Sequence, residues 1–326
     1  MNPSIIVIIG LIIYSISAIA YVYHWRGAVR YDTFSQFLRK SWPIFAPFNC
    51  ILYMTTKRSA KNPILRADFL QNIKILRDNW QIIRDEALAI QSFGLFDTIK
   101  TVGADGYYDV GFRTFYKRGW SKFYLKWYGT THLSAQRLCP QTLDLLNQIP
   151  AIRGAMFSIL PAGSELSLHS DPIGGCLRYH LGLATPNSKN CQINIDGQTC
   201  TWFDGEDFVF DETYPHFAYN TTNSARLILM CDVDRPMNIF GRIFNSGYRI
   251  LVKGTVVPNT PEDKCGLFSK IFKNIAPLKQ KSLKLKENHY KTYKSLKFIL
   301  NSSLLFIIFL ALYGLIYLFE MLFKMP

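Results

Sequence analysis

The stretch FSILPAGSELSLHSDP, residues 157–172, shows the architecture at the centre of this 326-residue chain. Two short runs of apolar and small polar residues flank a Pro-Ala-Gly turn, which is typical of two consecutive β-strands. The second run ends in His169-Ser170-Asp171. Because side chains i and i+2 of an extended strand lie on one face, His169 and Asp171 can bind the same metal ion.

Short β-rich runs continue on both sides of this stretch, separated by turn residues such as Gly174-Gly175 and Asp196-Gly197. We expect strands at residues 155–160, 165–169, 178–184, 191–195, 199–202, 207–210, 217–220 and 226–233. About eight short strands at this spacing predict a mainly β domain, either a jelly-roll or a barrel closed from two sheets.

A third candidate ligand for the same ion is His216, which follows the strand at 207–210 and is expected in a polar turn. Two histidines and one carboxylate form the facial set that leaves positions open on Fe(II) for a co-substrate and O2. The pattern H-x-D with a distant histidine is common by chance, and a single histidine is more often structural. The same three residues would also suit a zinc hydrolase.

Basic residues occupy positions where strands of a β domain are usually apolar. Arg226 begins the run RLILMCDV, and a buried arginine there needs an anionic partner such as a dicarboxylate co-substrate. Arg178 and His180 share one face of their strand, and Ser158 offers a hydroxyl donor on the preceding strand. The arginines favour an oxygenase over a zinc hydrolase, and ordinary surface ion pairs are the simpler alternative.

Two segments precede the β-rich region. After Asn62-Pro63, apolar residues from Leu65 to Ala87 recur at helical spacing, and Pro63 suits a first helical turn. The segment Phe112–Gly129 mixes basic and aromatic residues. It predicts either a surface for phosphate or anionic lipid headgroups, or a strand with a solvated basic face.

Both ends of the chain contain an uncharged apolar span long enough to cross a bilayer, at residues 4–23 and 298–319. A signal peptide describes the first span poorly, because there is no positive n-region and the apolar stretch is too long. Basic residues flank both spans on the side toward the middle of the chain, which predicts a cytoplasmic middle and outward termini. Two buried core helices are the alternative.

The net charge of +14 favours an anionic partner. No nucleic-acid-binding motif is visible, so no nucleic acid is expected and an acidic membrane surface is preferred. The apolar segment Trp42–Met54 contains two prolines and is too short to span, which predicts an interfacial or re-entrant element or a buried loop. The seven cysteines are scattered without a C-x-x-C pair and predict free thiols in a reducing compartment.

Four ordered motifs together resemble the aspartyl/asparaginyl β-hydroxylase family over roughly residues 62–236: FSILPAGSELSLHSDP, LRYHLGL, TWFDGEDFVFDETYPHFAYN and RLILMCDVDRP. The resemblance implies a double-stranded β-helix core with preceding helices, and a dioxygenase that uses Fe(II), 2-oxoglutarate and O2. It implies His169 and His216 as iron ligands. Animal members have glycine where this chain has Asp171, whereas the bacterial membrane-bound members keep the acid. The contacts implied for 2-oxoglutarate are Ser158, Arg178, His180 and Arg226.

Two terminal spans around a cytoplasmic domain are similar to the bacterial lipid A hydroxylases, which place a 2-hydroxyl on a secondary acyl chain of lipid A. This resemblance implies a multi-pass protein of the inner membrane with its catalytic domain in the cytoplasm. The alternatives are an aspartyl or asparaginyl residue of a protein as substrate, another acyl lipid, or a non-catalytic membrane binding protein. The expected divisions are a transmembrane helix at 1–26, a juxtamembrane segment at 27–61, the dioxygenase domain at 62–277, a lysine-rich segment at 278–297 and a transmembrane helix at 298–319.

Overall fold

The computed structural model describes residues 3–98, 104, 106–107, 109, 119–172, 174–300, 302–303 and 314. Two compact units divide the chain, one formed by residues 1–16 with 273–326 and the other by residues 17–272. The second unit contains every described strand and every candidate site residue.

Helices of the described residues lie mainly before and after the strands. Short 3-10 helices occupy Pro43–Phe45, Arg58–Ala60 and Ala67–Phe69. The α-helices are α1 (Pro3–His24), α2 (Phe34–Lys40), α3 (Ala46–Thr55), α4 (Lys74–Asp78), α5 (Trp80–Ser92), α6 (Leu95–Thr98), α7 (Leu133–Leu138), α8 (Pro140–Asn147), α9 (Ile239–Lys253) and α10 (Leu267–Asn288).

The described strands form two antiparallel sheets. They are β1 (Ile64–Leu65), β2 (Ser121–Trp127), β3 (Thr130–Thr131), β4 (Ile152–Leu160), β5 (Ser164–His169), β6 (Cys176–Ala184), β7 (Cys191–Ile195), β8 (Gln198–Thr201), β9 (Asp207–Phe210), β10 (His216–Asn220) and β11 (Arg226–Asp234). The larger sheet has the order β1-β9-β6-β11-β4-β2-β3, and the smaller has the order β5-β10-β7-β8. Asp196-Gly197 joins β7 to β8 with φ angles of 50° and 85°, as a two-residue type I′ hairpin requires.

The larger sheet is apolar on both faces. Leu229 and Met230 are neighbours on β11 and enter different hydrophobic clusters, since side chains alternate across a strand. The cluster of Leu229 includes buried residues of α4, α5 and α8, so the helices cover this face. The cluster of Met230 includes Ile193 and Ala218 of the smaller sheet. The space between the two sheets is therefore the place where inward polar residues of either sheet meet.

The eight expected strands are confirmed, with ends that move by up to three residues. One prediction inside this region is wrong. His216 is the first residue of β10 and is buried, whereas we expected it in a polar turn. The turn before β10 ends at Tyr214 and Pro215, so the strand begins one residue earlier than the sequence indicated.

The expected single helix from Leu65 to Ala87 is wrong in its first part. Ile64 and Leu65 pair with β9, and the backbone turns through Asn72 at a φ of 64° before α4 and α5 begin. The spacing of apolar residues indicates which residues are buried. It does not show where a single residue with positive φ interrupts a helix. Part of the basic-aromatic segment, residues 112–118, lies outside the described residues, and residues 121–127 form β2.

The first expected membrane span is a helix in the structure. Residues Ile6–His24 of α1 form 19 residues of mean hydropathy 2.3, long and apolar enough to cross a bilayer. Among the described residues this is the one helix that meets that test. The second expected span, 298–319, lies mostly outside the described residues. The short apolar segment forms the 3-10 helix Pro43–Phe45 and α3, and all seven cysteines are free thiols.

Candidate metal centre

Three side chains converge where the smaller sheet ends. His169 closes β5, His216 opens β10, and the two residues are partners in the antiparallel register with ring centroids 4.2 Å apart. Asp171 follows β5 by two residues, and its Oδ1 lies 3.5 Å from His169 Nε2. One ligand atom from each of the three residues lies within 4.8 Å of the others. The structure thus brings together the three residues that the sequence singled out.

The imidazoles of both histidines are fixed in the same tautomer. His169 Nδ1 lies 2.9 Å from the carbonyl of Ser167, and His216 Nδ1 lies 2.9 Å from the carbonyl of Tyr214. A carbonyl oxygen only accepts, so each Nδ1 carries the hydrogen and donates it. Each Nε2 then keeps a free lone pair, which is the arrangement that metal-binding histidines show.

Electrostatics keeps His216 neutral. Burial and the neighbouring His169 lower the pKa of His216 to about 4, although Asp171 acts in the opposite direction. The pKa of Asp171 moves the other way: burial raises it, but His169, His216 and Arg178 outweigh burial and hold it below its usual value. At neutral pH His216 is therefore a neutral imidazole and Asp171 a carboxylate, the protonation states that binding of a divalent cation requires.

The loop that carries Asp171 is held from several sides. The Asp171 backbone N–H donates to the carbonyl of Glu212, which ties the loop to the turn before His216. The N–H of Ser170 donates to the carbonyl of Lys40 at the end of α2. Asn49 of α3 donates its amide to the Pro172 carbonyl. A carboxylate fixed in this way pays little entropy when it binds a metal ion.

Four polar residues of the larger sheet face the space between the sheets, as the strand alternation predicted. Arg226 is the most deeply buried of them, with 1% of its surface exposed. Its Nη2 lies 3.5 Å from Ser158 Oγ, and its guanidinium lies over the Trp202 ring at 4.2 Å. Within the described part of the chain no carboxylate pairs with it and its Nε has no hydrogen-bond partner. The other inward residues are Ser158, Arg178 and His180.

Arg226 keeps its charge in spite of its surroundings. Burial lowers the pKa of Arg226 to about 10, which still leaves the guanidinium protonated at neutral pH. A buried cation without a counter-charge costs several kcal/mol by general estimates. Such a group fits a receptor for an anion that the folded chain itself does not supply.

His180 adds a second buried donor near Arg226. Trp202 Nε1–H donates to His180 Nδ1 at 3.2 Å, so the hydrogen of this imidazole resides on Nε2. That Nε2 has no partner among the described groups. Burial, and then the charge of Arg226, lower the pKa of His180 well below its usual value. His180 is therefore a neutral donor, and Phe210 contacts both its ring and the ring of His216.

Arg178 has a different environment from Arg226. It forms ion pairs with Glu212, with Asp232 at 3.1 Å and with Asp171 at 3.8 Å. These carboxylates outweigh burial, which lowers the pKa of Arg178, and they hold it well above its usual value. Arg178 thus links the candidate ligand Asp171 to a buried acidic network.

Sequence reasoning missed two acids of that network. Asp232 lies on β11 with the same inward alternation as Arg226, a signal that the sequence did contain. Glu212 lies in the turn before His216 and carried no such signal. Their carboxylates and the Cys176 thiol also lie within 4.8 Å of one another. Because the Arg178 guanidinium already pairs with both acids, we interpret this second cluster as an ion-pair network and not as a cation site.

The segment after α1 is fastened to the strands that carry the centre. Arg26 pairs with Asp211 at 2.8 Å and lies between the rings of Tyr53 and Tyr214, at 3.7 and 3.8 Å. Burial raises the pKa of Asp211, but Arg235 and Arg26 outweigh it and hold the pKa far below the usual value. The backbone N–H groups of residues 28 and 29 donate to the Asp196 carboxylate in the β7–β8 turn.

Comparison with known proteins identifies relatives of the central region. The family model of aspartyl/asparaginyl beta-hydroxylase matches residues 77–236. An ornithine lipid ester-linked acyl 2-hydroxylase of Rhizobium tropici is 35% identical over 127 residues, 39% of this chain and 45% of that protein. The aspartyl/asparaginyl beta-hydroxylase of Homo sapiens is 32% identical over 173 residues, 52% of this chain and 22% of that protein. The chain spans less than half the length of both relatives.

Among solved structures, a Pseudomonas putida prolyl-4-hydroxylase aligns with a TM-score of 0.31 and 17% identity, over 49% of this chain and 87% of that one. The two sequence relatives share the word hydroxylase in their names while their named substrates differ, one a lipid and the other amino-acid residues. The resemblance to the aspartyl/asparaginyl β-hydroxylase family seen in the sequence is therefore confirmed over residues 77–236, which match the model of this hydroxylase family.

Proposed function

We propose that this chain is a membrane-anchored, Fe(II)- and 2-oxoglutarate-dependent hydroxylase that adds a 2-hydroxyl to an acyl chain of a membrane lipid. Lipid A is the first substrate to test. The observation that carries the proposal is the pairing of a His-Asp-His ligand set with a buried guanidinium that lacks a counter-charge among the described residues.

The residues present fit a divalent iron ion. Both Nε2 lone pairs are free, and the carboxylate of Asp171 is held in its ionised state. Two imidazoles and one carboxylate leave further positions for a bidentate co-substrate and for O2. When bound there with 2-oxoglutarate, iron would supply the oxidising power that replaces an aliphatic C–H with C–OH.

The protein's own part is to hold the co-substrate and to keep the ligands aligned. We propose that Arg226 binds the far carboxylate of 2-oxoglutarate through a bidentate pair, with Ser158 Oγ and His180 Nε2–H as further donors. Trp202 fixes the His180 tautomer and covers the Arg226 guanidinium, which excludes water from the pair. Arg178 stays a predicted co-substrate contact, and its ion pairs also give it a positioning role toward Asp171.

A lipid substrate is favoured by two observations. The apolar helix α1 leads directly into residues that contact chain neighbours of the candidate ligands, including Arg26 on Asp211 and Tyr31 on Ser170, each at 2.8 Å. The bacterial relative bears the name of a lipid acyl 2-hydroxylase. An aspartyl or asparaginyl residue of a protein is the second candidate, because the human relative is named for that activity. A binding protein without turnover is the candidate of a different class.

We propose that the two antiparallel sheets form a double-stranded β-helix within residues 62–277, with the centre between them. We also propose that membrane spans flank this domain at 1–26 and 298–319, with juxtamembrane segments at 27–61 and 278–297. The protein would then lie in the inner membrane with the domain in the cytoplasm.

The test is turnover by the purified full-length chain in detergent micelles. Succinate formed from 2-oxoglutarate is measured with Fe(II) and O2, in the presence of lipid A, an ornithine-containing acyl lipid, or an aspartyl peptide. We expect turnover that requires iron and rises with a lipid. His169→Ala should remove it, and His289→Ala, an exposed histidine outside the centre, should not. Iron-dependent turnover stimulated by the peptide alone would contradict the lipid assignment, and an absence of any turnover would favour the binding protein.

A further inference from the structure

Helix α9 is amphipathic with its apolar side facing outward. The side that packs against the body contains few large apolar groups: Gly241, Asn245 and Val252 are buried, and Tyr248 is partly buried. Six large apolar side chains lie exposed, up to 74% at Phe240. In an ordinary surface helix the apolar stripe faces the core. The exposed side chains are Ile239, Phe240, Ile243, Phe244, Ile250 and Leu251.

The orientation of α9 is fixed by specific contacts. Asn238 caps the helix by accepting the Gly241 N–H at 3.0 Å, and its own N–H donates to the Thr55 carbonyl. Asn245 donates its amide to the Gly175 carbonyl at 2.7 Å. Gly241 lies so close to Thr55 that a β-carbon there would collide with the Thr55 side chain. The helix cannot rotate to bury its apolar side without breaking these contacts.

Helix α3 and the turn before it extend the same surface. Ile44, Phe48 and Met54 are exposed, and the Phe48 ring stacks on Phe244 of α9 with centroids 6.5 Å apart. We call this surface the α3–α9 apolar face. It consists of Ile44, Phe48, Met54, Ile239, Phe240, Ile243, Phe244, Ile250 and Leu251.

Positive charge borders the face. At about 100° per residue, the apolar side chains of α9 span an arc of roughly 140°, and Arg242 and Lys253 fall together on the adjoining arc. Both side chains are exposed. An apolar face with a basic border is the composition of helices that lie in the plane of an anionic bilayer.

The face also adjoins the helix that could span the membrane. Ala18 of α1 packs with Ala46 and Cys50 of α3, and the Cys50 thiol contacts the Ala18 carbonyl at 3.9 Å. The last turns of α1 therefore lie directly beside α3. With α1 across a bilayer, the adjoining α3–α9 apolar face lies close to the lipid.

We propose that the α3–α9 apolar face inserts into the interfacial layer of an anionic lipid bilayer and docks the body on the membrane. Asn49 of α3 and Asn245 of α9 hydrogen-bond to Pro172, Gly174 and Gly175, which closely follow Asp171. Docking thus places these residues directly behind the helices that face the membrane. The inference stands on the surface alone and holds whether the substrate is a lipid or a protein.

The test uses the full chain in vesicles of phosphatidylethanolamine and phosphatidylglycerol. The two partly exposed thiols are removed by Cys200→Ser and Cys265→Ser, and one cysteine is introduced by Ile243→Cys for a fluorescent bimane label. The control is Asp144→Cys on α8, an exposed position outside the face. Leu251→Cys repeats the measurement at the other end of α9. Quenching is recorded with lipids that carry a nitroxide on the acyl chain, and with iodide in the water.

The labels at 243 and 251 should be quenched by the acyl-chain nitroxide and protected from iodide, at a depth of about 5–10 Å below the headgroups. The label at 144 should show the reverse. Labels at 243 and 251 that iodide quenches as strongly as the control would overturn the proposal. Labels protected from iodide yet untouched by the nitroxide would also overturn it, because another protein chain then covers the face. Neither quenching measurement needs turnover. A failure of the docking proposal can therefore be distinguished from a failure of the proposed hydroxylation.

Discussion

His169 and His216 are register partners across β5 and β10, and each donates its Nδ1 hydrogen to the carbonyl two residues before it. The same local geometry is thus built twice on neighbouring strands. It leaves both Nε2 atoms free for a ligand, and one ligand atom from each histidine and from Asp171 lies within 4.8 Å of the others. We therefore expect this centre to bind a metal ion with little rearrangement.

The carboxylate of Asp171 should be essential for iron affinity. Asp171→Asn keeps the shape and removes the charge that His169, His216 and Arg178 stabilise. We expect Fe(II) affinity to fall on the order of 10- to 100-fold or more, the range seen when groups supporting a metal site are lost. Anaerobic titration of the purified chain with Fe(II) measures this, with Asp144→Asn as the exposed control. Unchanged affinity in Asp171→Asn would remove Asp171 from the ligand set.

Acid should destabilise the metal-free chain through His216. Its pKa in the folded state is about 4, below the unfolded value of about 6.5, so the unfolded state binds the proton first. The stabilising effect of the neutral imidazole is present above pH 6.5 and is lost as the pH falls toward 4. Between pH 7 and pH 5 the loss should be about 2 kcal/mol. Urea unfolding in detergent measures it, and His216→Gln should flatten this pH dependence. An equally steep loss in that variant would refute the assignment.

Arg226 should lower the stability of the metal-free chain and strengthen binding of the co-substrate. Arg226→Met keeps the volume and removes a buried charge that no described carboxylate compensates. We expect kcat/KM for 2-oxoglutarate to fall at least about 30-fold, or about 2 kcal/mol, while the melting temperature of the metal-free chain rises. Steady-state kinetics and thermal unfolding give the two readouts. Arg66→Met, at an exposed arginine, should change neither. A fall in both quantities would show that Arg226 is structural.

Replacing Arg178 should lower the stability of the chain, whereas replacing Arg226 should raise it. Arg178→Met leaves Glu212, Asp232 and Asp171 without their shared cation. Removing one partner of a buried ion network costs about 3–5 kcal/mol. We therefore expect a clear loss of stability at neutral pH, part of which returns in acid as the carboxylates take up protons. Denaturant unfolding at pH 7 and pH 5 checks this, and a melting temperature that rises as in Arg226→Met would contradict it.

The sequence predicted those features that depend on alternation along a strand. Ser158, Arg178, His180 and Arg226 face the space between the sheets, and all four are buried as their spacing indicated. The chemistry of that space depended on partners distant in the chain. Nothing local distinguishes Arg178, which three carboxylates neutralise, from Arg226, which none does among the described residues.

Other features could not be read from spacing because they depend on a single backbone angle or on tertiary packing. The left-handed Asn72 divides one apolar pattern into a strand and two helices. The outward orientation of α9 follows from caps and from the close approach of Gly241 to Thr55, and hydrophobic periodicity alone assigns the apolar side to the core. The contacts that Arg26 and Asp196 form at the segment after α1 join residues more than 160 positions apart.

The most direct test of the central claim is mass spectrometry of lipid A from a Gram-negative host that lacks this activity, with and without the wild-type gene. His169→Ala is the inactive control and His289→Ala is the matched substitution outside the centre. The account predicts a gain of one oxygen, located on an acyl chain by fragmentation, with the wild type and with His289→Ala and not with His169→Ala. Unchanged lipid A in cells that contain the iron-loaded protein would contradict the lipid A assignment, and an oxygen gain that persists in His169→Ala would contradict the centre itself.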